Sequence, residues 1–524
     1  MIYYLKLYFA RSLDDVMNLV NGEVFDGKLE KIIEVTYSYK QLDDGYLYNE
    51  TLFEEYLNIP YTENINYNIL GKKFIYRIQS RITAINDSIK KLEHINVSSR
   101  VESVKRSILI DSLLYVKNIL EISLISINFE LNKAGAQINM PDSEVDLKIE
   151  KIIKKEKLAF GSLIIENSRE FSHCYNFIEK NHSLQKHLLS RSDVIKMNKF
   201  LKIIKQSSKC DLIETDETLY KTANSIFSDS NICRKDYRYL FDAVCELYHL
   251  PQRTSLTNAG SIYDGDDALE IPRNEEFSHL TFDRVLKLLT HEIESHYINQ
   301  YNGKKLLGNF RGARNLPKEE GLAMFMERIF HGYTYDTIDN IIDYFFTILA
   351  GECLNGDDFS EFVRIMVKEY NFMRSYDTAI RRAKRNYSFE HVGVQHKDVV
   401  YFRGLTEVMD YLKSGGEFKK LFLGKVGFLD LDNMYDLYQR YDKKENIVFP
   451  IFISDLICYY FENKQEDKMY EFESQKYYLF LKKKYWFLDL DGFKIIQKIE
   501  TDWIKIEKIL KNLEKILDIK IDKK

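Results

Sequence analysis

The stretch VLKLLTHEIESHYINQYNGKKLLGNFRGARNLPKEEGLAMFMERIF, Val285 to Phe330, decides how this chain reads. Its opening sets Val285, Leu286, Leu288, Leu289 and Ile293 at helical spacing. On that helix stand His291, Glu292 and His296, in the pattern H-E-x-x-x-H. Two imidazoles and a carboxylate suit zinc, which takes nitrogen and oxygen donors in a four-coordinate shell and keeps one position open when it is catalytic. A glutamate directly after the first histidine is placed to take a proton from water activated at such a centre. The expected cofactor is zinc, about one ion per chain.

The spacing carries a structural demand. Ligands four residues apart share one face of a helix. Five apart, on a regular α-helix, the second ring is turned about 140° away. The chain must therefore widen or kink between His291 and His296, as single π-type turns do at functional sites. A third ligand comes from the second half of the stretch. Pro317 starts a helix whose first turn carries Glu319 and Glu320, followed by Gly321-Leu322-Ala323. Acidic residues in a first turn also answer the helix dipole. The small Gly321 and Ala323 let this helix pack closely on the histidine helix, so that Glu320 reaches the metal.

These motifs resemble the family named for its QEGLA motif, which includes the microtubule-associated tyrosine carboxypeptidases. The family's HEIGTH helix is matched by HEIESH (291–296), its Tyr/Asn-Gly segment by YNG (301–303) and its Q/E-E-G-L-A by EEGLA (319–323). An Arg-rich stretch followed by K-D-x-x-Y-x-x-G is matched by RRAKR (381–385) and KDVVYFRG (397–404), and GKV at Gly424–Val426 resembles the end of the family domain. The resemblance covers roughly residues 165–452. It implies a zinc-like metal on His291, His296 and Glu320, Glu292 as general base, and removal of a residue from an exposed C-terminal tail.

Other positions take roles by the same resemblance. The free carboxylate of a substrate tail calls for guanidinium groups, with Arg382, Arg385 and Arg403 as candidates and Lys397 as a point-charge alternative. Tyr401, at the K-D-x-x-Y position, is placed to donate a hydrogen bond to a developing oxyanion. Two departures stand out. Glu294 and Ser295 occupy the places of the family's Gly-Thr, where a glycine eases the widening of the helix. Glu319 replaces the usual Gln. The strand-like ALEIP (Ala268–Pro272) offers an edge for an extended peptide.

Outside this region the sequence is plainer. Its 524 residues carry 75 basic and 80 acidic side chains, a net charge of −5, and so offer no global basic field for nucleic acid or an anionic membrane. Six prolines and 22 glycines favour long helices. The six cysteines show no C-x-x-C spacing, which fits a reducing, cytoplasmic setting. No run of apolar residues is long enough for a membrane span. Helical periodicity marks Tyr76–Ile95 and Val101–Ile127, with short strand-like pieces around them. After Pro450, KYYLFLKKKYWFLDLDGFKII (Lys476–Ile496) alternates aromatics with charges around Asp491-Gly492 and reads as a hairpin. A final stripe of Ile506, Ile509, Leu513, Ile516 and Leu517 forms an amphipathic helix, a surface for its own domain or for a partner helix.

The expected architecture is α+β and mostly helical. A zincin-like metallopeptidase core (161–452) follows a helical N-terminal region (1–160) and precedes a small appendage of hairpin plus helix (453–524). The expected activity is that of a metallocarboxypeptidase acting on a protein or peptide tail. Its alternatives are a metal-binding regulatory protein without turnover and an endopeptidase or amidase using the same shell.

Overall fold

The computed structural model describes residues 7–23, 67–135, 230–251, 253–257, 263–264, 268–273, 278–308, 312, 315–331, 399–466, 470–486 and 488–517. The described residues are mostly helical, with two small sheets. The chain divides into two compact units.

In the first unit, helices α1 (Leu13–Glu23), α2 (Tyr67–His94) and α3 (Arg100–Gly135) pack together. Two of them begin with reciprocal capping. Ser12 Oγ accepts from Asp15 N while Asp15 accepts from Ser12 N, and Ser99 and Glu102 repeat the exchange at α3. Val16, Val20, Ile85, Leu92, Ile108, Leu109, Leu113 and Leu120 are buried at helical spacing. Helix α2 begins well before its expected start, and α3 outruns its expected range at both ends. No strand occurs among the described residues before residue 230, because the apolar positions there follow the helical period.

The second unit carries the chemistry. Strand β1 (Asn231–Cys233) leads into α4 (Arg234–Leu247) and pairs antiparallel with β5 (His279–Thr281). A three-stranded sheet has the order β2–β4–β3: β2 (Arg253–Thr257) runs parallel to β4 (Ala268–Pro272), and β3 (Tyr263–Asp264) antiparallel to it. The ALEIP strand is thus the middle one, paired along its length with β2 and at Leu269 and Glu270 with β3, and the free edge expected of it is corrected. The edges are β2 and β3.

From Thr281, whose side chain caps the start by accepting from Arg284 N, one continuous helix runs to Leu306. It is α-helical over α5 (Phe282–Leu288), π-helical over Leu289–Tyr297, and α-helical again over α6 (Ile298–Leu306). Helix α7 (Asn315–His331) begins two residues before Pro317. Proline is tolerated there because the first-turn N–H groups have no partner within the helix. Glu319 and Glu320 consequently lie beyond the first turn.

Helices α8 (Val399–Lys413) and α9 (Leu431–Arg440) are followed by α10 (Ile453–Glu466), α11 (Ser474–Lys484), α12 (Gly492–Thr501) and α13 (Trp503–Ile516). The expected hairpin after Pro450 is corrected: its residues form the two helices α11 and α12. Tyr477, Leu481 and Tyr485 are buried four residues apart, a helical period that the alternating aromatics and lysines concealed. Asp491-Gly492 is a helix start, with Asp491 accepting from Lys494 N. In α13, Ile506, Ile509, Leu510 and Leu513 are buried within the same unit, and the helix packs on α4. No described helix is long and apolar enough to cross a membrane.

Candidate metal centre

The π-helical segment answers the five-residue interval. The N–H of Ile298 reaches back five residues to the carbonyl of Ile293, and the Ser295 hydroxyl donates to the carbonyl of Thr290, also five back. Widening of this kind brings residues five apart toward one face. The rings of His291 and His296 accordingly stand 5.0 Å apart, edge to face. Glu320, from α7, joins them. The donor atoms of His291, His296 and Glu320 all lie within 4.8 Å of one another, the one such group found among the described residues.

The residues fit a zinc ion. His296 Nε2 lies 3.6 Å from Glu320 Oε2. Two donors about 2.1 Å from a tetrahedral zinc stand about 3.4 Å apart. His291 Nδ1 donates to Glu327 Oε2 at 3.2 Å, since a carboxylate can only accept. This leaves the Nε2 lone pair of His291 for a metal. Burial alone would lower the pKa of His291, but the Glu327 hydrogen bond and the carboxylates of Glu292, Glu327 and Glu320 raise it to about 9. On His296, burial is likewise outweighed by Glu319 and Glu320, and its pKa is raised. Carboxylates that favour a cation on these rings would favour a metal cation among them. Glu292 is buried on the same segment, between the histidines.

A polar layer supports the triad. Glu319 Oε1 lies 3.2 Å from His296 Nδ1, off the line of a hydrogen bond, and 2.6 Å from the buried Lys425 Nζ. Lys318 is fully buried, and its Nζ donates to Asn299 Oδ1, Leu421 O and Gly424 O at 3.0, 3.0 and 2.6 Å. Burial lowers its pKa to about 7, against three acceptors that match the three protons of an ammonium. Asn299 also accepts from Gly424 N, and Asn302 pairs with the backbone of Val448 in both directions. Gly303 and Gly424 meet backbone to backbone: a Cβ on Gly424 would lie 3.0 Å from Gly303 Cα. The YNG, EEGLA and GKV motifs are therefore parts of one packed layer.

Glu294 does not intrude on the triad. Its Oε1 accepts from Tyr248 Oη and from Ile453 N, the latter at 2.9 Å. Burial raises its carboxyl to about 7.

Sequence reasoning missed Glu327, Lys425 and Tyr248 as supports of this site. Glu327 had a signal: it lies seven residues beyond Glu320, two turns along the same helix face. Of the expected substrate-binding groups, Tyr401 is half-buried in α8 and Arg403 lies on the same helix, both in the first unit. Arg382, Arg385 and Lys397 lie outside the described residues.

Residues 255–450 match the family described as microtubule-associated tyrosine carboxypeptidase. No curated protein matches the chain. The matched segment begins in β2 and takes in the π-helical turn, α7 and Lys425; helices α10 to α13 lie beyond it.

Proposed function

We propose that this chain is a zinc-dependent metallocarboxypeptidase of the cytoplasm, with a zincin-like core over residues 161–452, that removes a C-terminal residue, tyrosine-like, from a protein or peptide tail. One observation carries the reading: His291, His296 and Glu320 converge through a helix widened at the motif, inside a segment that matches a tyrosine carboxypeptidase family. In this reading those three residues hold the zinc. When bound, it supplies Lewis acidity toward the scissile carbonyl and the attacking water.

The remaining roles belong to the chain itself. Glu292 takes the proton of the attacking water and returns it to the leaving amine. Glu327 fixes the tautomer and orientation of His291, and Glu319 with Lys425 does so electrostatically for His296. By the resemblance of their sequence motifs alone, Tyr401 is the candidate donor to the oxyanion, and Arg382, Arg385, Arg403 and Lys397 are the candidates for gripping the terminal carboxylate. A metal-binding protein without turnover is the rival reading, and Glu294 in place of the glycine is the feature that favours it; that carboxylate accepts from Tyr248 and Ile453.

Elemental analysis of untagged wild type and a His291→Ala/His296→Ala variant tests the site. About one zinc per chain, lost in the variant, is expected. A C-terminal peptide library then tests the activity by product mass, with release of single residues from one end only. Full activity in Glu292→Gln removes Glu292 from its role, and absence of metal in wild type after zinc is offered overturns the whole reading.

A further inference from the structure

Behind the metal helix lies a buried segment, Ile451 to Ser454, gripped from several sides. Thr290 Oγ1 donates to Ser454 Oγ at 3.0 Å, and Ser454 Oγ in turn donates to the carbonyl of Leu286 at 2.9 Å. One residue earlier, Ile453 N donates to Glu294. Ile451 N donates to Tyr248 Oη at 2.9 Å, and Tyr248 in turn donates to Glu294. Tyr477 Oη, from α11, reaches the carbonyls of Phe452 and Ile451 at 2.8 and 3.1 Å.

Between these bonds Phe452 holds φ +59, a left-handed conformation that is strained for a bulky residue. Such a conformation persists where the surroundings over-determine it, and here the Phe452 ring is also packed against Phe418 and Tyr485. Two neighbouring residues of this rigid segment therefore hold the π-helical turn at Thr290 and at Glu294. Those points bracket His291 and Glu292, and the second precedes His296 by two residues.

Glu294 bears a cost for this. Its carboxylate is fully buried. A side chain there with no task beyond filling space would not need a carboxylate.

We propose that Glu294 is a positioning residue of the metal centre: gripped by Tyr248 Oη and Ile453 N, it fixes the widened turn so that His291 and His296 face a common point. The position otherwise given to a flexible glycine is here occupied by an anchor. The inference rests on the reading of the triad as a metal site.

The test uses the full chain as Glu294→Ala, Glu294→Gln and Tyr248→Phe, with Leu513→Ala as a core truncation away from the clamp. Zinc affinity is read by competition with a chromogenic chelator, geometry by the absorption spectrum of the cobalt(II)-loaded protein, and folding by thermal melting. Glu294→Ala and Tyr248→Phe are expected to lose about tenfold or more in zinc affinity and to shift the cobalt bands, while Glu294→Gln, whose amide oxygen keeps both hydrogen bonds, stays within about threefold. Leu513→Ala is expected to melt lower with unchanged affinity. Should Glu294→Ala fail to fold, Tyr248→Phe alone decides by the same criteria. Wild-type affinity and spectrum in the folded variants, whatever their melting temperatures, would overturn the inference and leave the metal site standing. A wild type that takes up no zinc overturns the metal site itself, and this inference with it.

Discussion

Glu327 accepts a hydrogen bond from His291 Nδ1 at 3.2 Å, and it lies on the same helix face as Glu320, two turns further on. One helix thus contributes a candidate ligand and the orienting partner of another. Glu327→Ala is expected to lower zinc affinity by about 10- to 100-fold while the protein stays folded. Competition with a chelator reads this, and unchanged affinity would remove Glu327 from the centre. Glu320→Ala is expected to lose the metal altogether.

Lys425 and Glu319 form a buried pair beside His296. Lys425→Met leaves the Glu319 carboxylate buried without its cation, at a cost of about 3–5 kcal/mol. Adding Glu319→Gln removes the stranded charge and is expected to restore much of that loss. Urea unfolding of the two single variants and the double variant checks both statements.

Gly424 holds φ +132, and a Cβ there would meet Gly303 Cα at 3.0 Å. Strain and clash act together, so Gly424→Ala is expected to cost at least about 1–3 kcal/mol. It should also disturb the Asn299 and Lys318 hydrogen bonds made to that residue. A melting temperature equal to wild type would show that the loop can yield.

Helices beyond the family match are built into the second unit. Lys484 pairs with Asp455 and donates to the carbonyl of Phe330 at the end of α7, and Tyr485 donates to Asp455 at 2.7 Å. A chain cut after Pro450 loses these contacts together with the Ile453 and Tyr477 bonds. It is expected to lack a cooperative melt and to bind no zinc. A truncated chain that melts cooperatively and takes up the metal would show those helices to be dispensable.

Asp502 is held below its ordinary pKa. Burial opposes this, but Lys498 at 2.6 Å and Lys505 at 3.1 Å outweigh it. A carboxyl depressed in the folded state contributes stability above its unfolded pKa of 3.8, and that contribution is lost as pH falls through the lower folded value. Asp502→Asn should therefore destabilise at pH 7 and converge on wild type in strong acid. Urea midpoints compared across that range test the sign.

The local features of the site were legible in the sequence because covalent spacing dictates them. His291 and His296, five apart, demanded a widened helix whatever surrounded them, and the π-helical turn supplies it. The long helices of the first unit declared themselves by apolar period alone. Where two patterns overlap, as in Lys476–Ile496, aromatic alternation masks a period of four and points to strands where the chain forms helices. What only the tertiary structure decided is which distant groups support the centre: Glu327 for His291, Lys425 for Glu319, Tyr248 and Ile453 for Glu294. Spacing along a chain fixes direction over a turn or two, whereas partners tens of residues away are chosen by the packing of whole elements and by the need to satisfy each polar group that packing buries.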